Sequence, residues 1–108
     1  MIYQVVYSGG DYEEYFERPV LVTDNYEKAV EAANKIANTI NRFIDSFSDI
    51  ELIEVRRFQM NQNLININNE GFEYLGYDYK CLWEKRGFGY TKLTKKHDDD
   101  WYRMDLGQ

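Results

Sequence analysis

The stretch from Thr23 to Phe47 constrains this chain more than any other, because apolar side chains recur at Tyr26, Val30, Ala33, Ala37, Ile40, Ile44 and Phe47. Steps of four and three residues place all seven on one face of an α-helix. Ala29, Ile36 and Phe43 widen the stripe, and Glu27, Glu31, Asn34, Lys35, Asn38, Asn41, Arg42 and Asp45 fill the rest of the circumference. The pattern predicts one amphipathic helix over residues 24–47 with a buried side and a wet side. Thr23 or Asp24 supplies the cap for the first turn, with Glu27 at about capping-box spacing. The helix ends where Ser46, Ser48 and Asp49 replace the apolar repeat. The spacing also fits a coiled-coil seam, but Ala29, Ala33 and Ala37 suit close approach to a flat sheet of the same chain.

The flanking segments read as strands. Ile2 to Tyr7 is rich in β-formers and apolar on both faces, which predicts a central strand. Ser8-Gly9-Gly10-Asp11 ends it with turn chemistry. Val20-Leu21-Val22 follows Pro19, a residue that fits only the edge or start of a strand. Ile50 to Met60 predicts a third strand with Arg56 and Arg57 on opposite faces, and Leu64 to Ile67 a fourth. From Phe72 to Trp83 the aromatics change from even to odd positions at Gly76, which predicts a bulge or bend there. Phe88 to Leu93 reads as the last strand. The expected fold is a single α+β domain over residues 1–108, a mostly antiparallel sheet of five or six strands in the order β-β-α-β-β-β-β, with the helix packed on one face.

Composition narrows the function classes. A chain of 108 residues is long enough to bury a core unaided. Its one cysteine, Cys81, forms no internal bridge. Met1 to Val6 lacks a basic start and a long apolar run, so the sequence reads as cytoplasmic, with no membrane partner. The net charge of −6 disfavours general adhesion to nucleic acid. That charge is unevenly spread, since residues 1–55 hold 4 basic and 11 acidic side chains and residues 56–108 hold 9 and 8.

No enzyme class or cofactor is indicated. Asp98-Asp99-Asp100 with Asp105 lacks EF-hand spacing and reads as a solvated acidic turn, not a metal site. His97, the only histidine, leaves no multi-histidine zinc set. Cys81 lies in an aromatic strand and reads as an inert thiol.

Two surfaces remain. Asp11, Tyr12, Glu13, Glu14, Tyr15, Phe16 and Glu17 interleave four carboxylates with three aromatics, and Glu27 and Glu31 extend the negative charge along the helix. Carboxylates on a rigid surface compete for a cationic cleft that normally receives nucleic acid. The other surface is basic and aromatic, with a local charge of +5 over residues 80–96. Within it, Arg86-Gly87-Phe88-Gly89-Tyr90-Thr91-Lys92-Leu93 resembles the RNP1 octapeptide of the RNA-recognition motif, and Ile2 to Val6 loosely resembles that family's first-strand motif. The resemblance implies nucleic-acid binding through Lys85, Arg86, Phe88, Tyr90 and Lys92. The family's order departs from this one, since a helix and a final strand should follow the octapeptide and only fifteen residues do.

The order of strand, acidic loop, short strand, long Ala/Glu/Lys/Asn helix and further strands is similar to small phage-encoded proteins, some of them anti-defence factors such as anti-CRISPR inhibitors. That resemblance covers about the first sixty residues. It implies a non-enzymatic inhibitor acting in the host cytoplasm on a host protein with a basic nucleic-acid-binding cleft. A nucleic-acid-binding module and a homodimer formed through tyrosine-rich strand edges are the other two readings.

Overall fold

The computed structural model describes residues 1–97 and 99–104. The one helix among the described residues, α1 (Tyr26–Arg42), is shorter than the apolar repeat. Asn25 is the cap, its side chain accepting from the amides of Glu27 and Lys28 at 2.9 and 3.2 Å. Thr23 supports the cap from outside by accepting from the Asn25 amide. At the other end Phe43 leaves helical geometry, and its amide closes on the carbonyls of Thr39 and Ile40. Residues 43–49 form turns, so Phe43 and Phe47 leave the buried stripe and are exposed.

The strands are β1 (Ile2–Gly9), β2 (Phe16–Thr23), β3 (Ile50–Phe58), β4 (Ile65–Asn68), β5 (Gly71–Tyr74), β6 (Tyr77–Lys85), β7 (Leu93–Lys95) and β8 (Tyr102–Met104). The main sheet is antiparallel in the order β2-β1-β3-β6-β7, with β8 also on β6. The α+β architecture with one helix and a mostly antiparallel six-stranded sheet matches the sequence expectation, extended by two short strands. β1 is central, as its two apolar faces predict. β2 starts earlier than expected and tolerates Pro19 because it lies at the edge, where a register shift between Val5 and Val6 absorbs the extra residue.

Ala29, Ala33, Ala37 and Ile40 of α1 pack on Val5, Ile53, Val55, Leu82 and Leu93, which together form the core. The alanines bring helix and sheet close enough for two side chains assigned to the wet side to reach the sheet. Asn41 both donates to the Leu93 carbonyl (2.9 Å) and accepts from its amide (2.7 Å), and Asn34 accepts from the Trp83 indole at 2.9 Å. These two asparagines are half-buried clamps, which corrects the solvated role read from helical periodicity.

Gly76 marks a break, not a bulge: β5 belongs to a separate two-stranded sheet with β4, and β6 to the main sheet. Arg56 and Arg57 face opposite ways as expected. Arg57 lies on the helix side, its guanidinium 4.2 Å from the Trp101 ring centre. Trp101 also approaches Tyr3 and Tyr26, and Lys80 sits beside this aromatic group with its ammonium donating to the Tyr26 hydroxyl at 3.3 Å. The loop between β7 and β8 is thereby tied to the start of the helix.

Candidate functional site

The acidic arm is a compact loop, held by glycine at its base. A Cβ on Gly9 would strike the Asp49 carbonyl, and one on Gly10 would strike the Glu14 carbonyl. Gly10 also has φ +82, a conformation glycine adopts without steric cost. The Asp11 carboxylate accepts from the Glu14 amide at 3.3 Å and closes the turn. The result projects Tyr12 wholly into solvent, with Asp11, Glu13 and Glu14 exposed around it.

The remaining arm residues divide. Tyr15 is exposed, and its hydroxyl donates to Glu17 at 3.1 Å. Phe16 turns to the helix side and packs edge-on against Tyr7 at 6.5 Å, so it is a packing residue. Glu17 is drawn into an ion pair with Arg56. Glu27 and Glu31 are exposed but belong to the start of α1, where Tyr26 meets Tyr3. Because Tyr3 pairs with Thr23 and Gly9 with Phe16, Glu27 lies near the far end of β1, roughly 20 Å from the loop at about 3.3 Å per residue, and Glu31 lies about 6 Å nearer along the helix. The single acidic surface inferred from the sequence is therefore two separate patches. In place of the helix acids, Glu51 joins Gly10, Asp11, Tyr12 and Tyr15 around one shallow cleft, and the backbone carbonyl of Asp49 lies against Gly9. The only sequence signal for these two is their position at the start of β3, opposite the end of β1.

On the face away from the helix, buried Arg56 organises a charged group missed in the sequence. Its guanidinium donates to Glu17 at 2.6 Å and to Glu54 at 3.1 Å, and lies 4.6 Å from the Tyr77 ring centre. The bond to Arg56 holds the Glu17 carboxyl below its ordinary range. Burial pushes Glu54 the other way, up, against the opposing pull of Arg56. The Tyr77 hydroxyl is pushed up to about 12 by burial. Tyr15, raised by burial and by its bond to Glu17, links this group to the arm across a cleft of about 760 Å³ lined also by Phe16, Arg18 and Met104. The cluster fastens the root of the arm. It offers no activated nucleophile.

The basic segment is not the strand that the RNP1-like octapeptide requires. Residues 86–92 form a loop in which Gly87 and Gly89 take φ values of 103 and 77, and only Leu93–Lys95 returns to the sheet. β1 lies between β2 and β3, away from this segment. Phe88 and Tyr90 are exposed at the loop. Lys85 donates to the Ser48 carbonyl, Arg86 lies 3.7 Å from Glu84, and Lys92 is exposed. Lys80 is buried on the sheet and adds nothing to this patch.

Burial pushes the Cys81 thiol up to about 11, and it donates to the Trp83 carbonyl at 3.4 Å, so it is protonated at neutral pH. Among the described residues no three His, Cys, Asp or Glu side chains gather as a metal site. Asp98 and Asp105 of the aspartate group lie outside the described residues. No helix among them is long and apolar enough to cross a membrane. Comparison of the chain with protein-family models, curated proteins and solved structures gives no match.

Proposed function

We propose that this protein is a non-enzymatic, phage-type inhibitor that acts in the host cytoplasm by inserting its acidic–aromatic end into the basic nucleic-acid-binding cleft of a host defence protein. The observation that carries the reading is Tyr12, fully exposed at the tip of a glycine-closed loop and surrounded by Asp11, Glu13, Glu14 and Glu51. A tyrosine supplies large contact area at low entropic cost, and the carboxylates steer it toward lysines and arginines. Arg56, through Glu17 and Tyr15, fixes the loop's root before binding, which lowers the ordering cost of association.

The test begins with capture from a bacterial lysate and identification of the retained protein by mass spectrometry, followed by kinetics on that partner. Glu13→Lys with Glu14→Lys slows association by about tenfold or more at low salt and flattens its salt dependence, whereas Tyr12→Ala mainly speeds dissociation. Excess DNA displaces the protein from its partner. Binding that survives both changes and ignores DNA refutes the reading.

A second reading rests on the fully exposed Phe88 with Tyr90, Lys85, Arg86 and Lys92: a loop on which single-stranded nucleic acid stacks. A salt-sensitive gel shift abolished by Phe88→Ala would support it. The absence of any shift at low salt removes it.

A further inference from the structure

The pole opposite the acidic loop carries an uncovered apolar face. In the β4–β5 hairpin Ile65 pairs with Tyr74 and Ile67 with Phe72, so these four side chains share one face, while Asn66 and Glu73 share the other. Ile65, Ile67, Phe72 and Tyr74 are 40%, 70%, 68% and 56% exposed. Neither strand packs substantially on the helix or the main sheet, and no other described strand pairs with them. A lone two-stranded hairpin is marginal in water, and its free edges present unpaired backbone groups.

We propose that this face is the contact surface of a homodimer, each copy laying its hairpin across that of the other. Chemistry selects a second copy over a charged partner. Residues 61–75 hold only two charges, Glu70 in the turn and Glu73 on the reverse face. The apolar face therefore has nothing to recognise a basic or acidic ligand. It is instead complementary to itself, because a two-fold axis brings the isoleucines of one copy against the aromatics of its partner.

The area reaches the lower bound of a specific interface when the whole face is covered. With about 150–250 Å² for a whole aromatic side chain, the exposed fractions amount to on the order of 500 Å² per copy, or about 1,000 Å² for the pair, the threshold of a specific interface.

Placement removes the electrostatic objection to joining two chains of charge −6. β3 runs from Ile50, beside Gly9, to Phe58, beside Ile2, so the hairpin and the acidic loop leave opposite ends of a strand spanning about 25 Å. Salt screens charges over about 8–10 Å, and the acidic loops point away from the two-fold axis. Both remain free, so the inference stands whether or not the acidic end is a binding site.

Sedimentation velocity of the full chain from about micromolar to about half-millimolar concentration tests it. The mass rises from one chain to two. Ile67→Lys and Phe72→Ser each raise the dissociation constant by about 30-fold or more, the loss of one buried anchor, and Asn66→Lys on the reverse face leaves it unchanged. Circular dichroism confirms that each variant keeps its core. A single-chain mass at the highest concentration overturns the proposal and leaves the face to a different protein or to lipid. A dimer that survives both Ile67→Lys and Phe72→Ser overturns it as well.

Discussion

Replacing Arg56 with methionine tests how the arm is anchored, because it removes the guanidinium while keeping a side chain long enough to lie against Tyr77. Three interactions are lost. Glu54, whose side chain is only 9% exposed, keeps its place without a counter-charge, and stranding one member of a buried pair costs about 3–5 kcal/mol. Glu17 is 43% exposed, so solvent screens its share to about 1 kcal/mol or less. The stacking of Arg56 on Tyr77 adds about 0.5–1 kcal/mol. Against a domain stability of about 5–15 kcal/mol, the total leaves the variant folded but weakened. At a urea m-value of about 1.5 kcal/mol/M the summed loss lowers its midpoint by about 2–5 M. Adding Glu54→Leu recovers most of that loss, since replacing a buried pair by packed apolar groups is close to neutral. Urea titrations followed by circular dichroism at pH 7 measure all three proteins. A midpoint for Arg56→Met within about 0.5 M of the wild type, or a double variant no more stable than the single one, refutes the argument.

The two carboxyls on Arg56 give opposite pH dependences. Glu17, with its pKa lowered in the fold, contributes stability that is present above its ordinary value of 4.5 and lost as the pH falls below it. Glu54, with its pKa raised, favours the fold most below 4.5 and loses that contribution as the pH rises through its folded value. Thermal melts should show Glu54→Gln gaining on the wild type as the pH rises above 4.5, and a deficit in Glu17→Gln that shrinks below pH 4.5. Ile40→Asp, at a core position 3% exposed, costs several kcal/mol and unfolds the monomer; a cooperative urea transition in that variant would contradict the helix packing. Gly10→Ala strains the left-handed turn and strikes the Glu14 carbonyl. It costs about 1–3 kcal/mol and speeds hydrogen exchange at the Glu14 amide.

Local periodicity was legible wherever packing acts through neighbouring residues. The alanine stripe announced the helix–sheet contact, and the adjacent Arg56 and Arg57 announced two different sheet faces. The change of parity at Gly76 was visible too, but parity alone does not distinguish a bulge in one sheet from the end of one sheet and the start of another. The Glu17–Arg56 pair was not legible, because its partners are 39 residues apart. Its formation depends on the β2–β1–β3 register, including the irregularity at Val5 and Val6. The expected strand at Phe88–Leu93 failed for a local reason: Gly87 and Gly89 adopt positive φ, which interrupts an extended strand.

Register also changes which charges reach a partner at the acidic end. Glu17 and Glu54 share the Arg56 guanidinium, so neither acts there as a free negative charge. Glu27 lies roughly 20 Å away along β1 and Glu31 about 6 Å nearer, both beyond the screening length of about 8 Å at physiological salt. Steering then falls to Asp11, Glu13, Glu14 and Glu51 around the loop. Once a partner is in hand, Glu51→Lys should slow association about as much as Glu13→Lys, although Glu51 is 38 positions further along the chain. Glu27→Lys combined with Glu31→Lys should leave the rate within about twofold of the wild type at physiological salt. If the helix substitutions slow binding as much as Glu51→Lys does, the contact surface extends along α1 and the loop is not its centre.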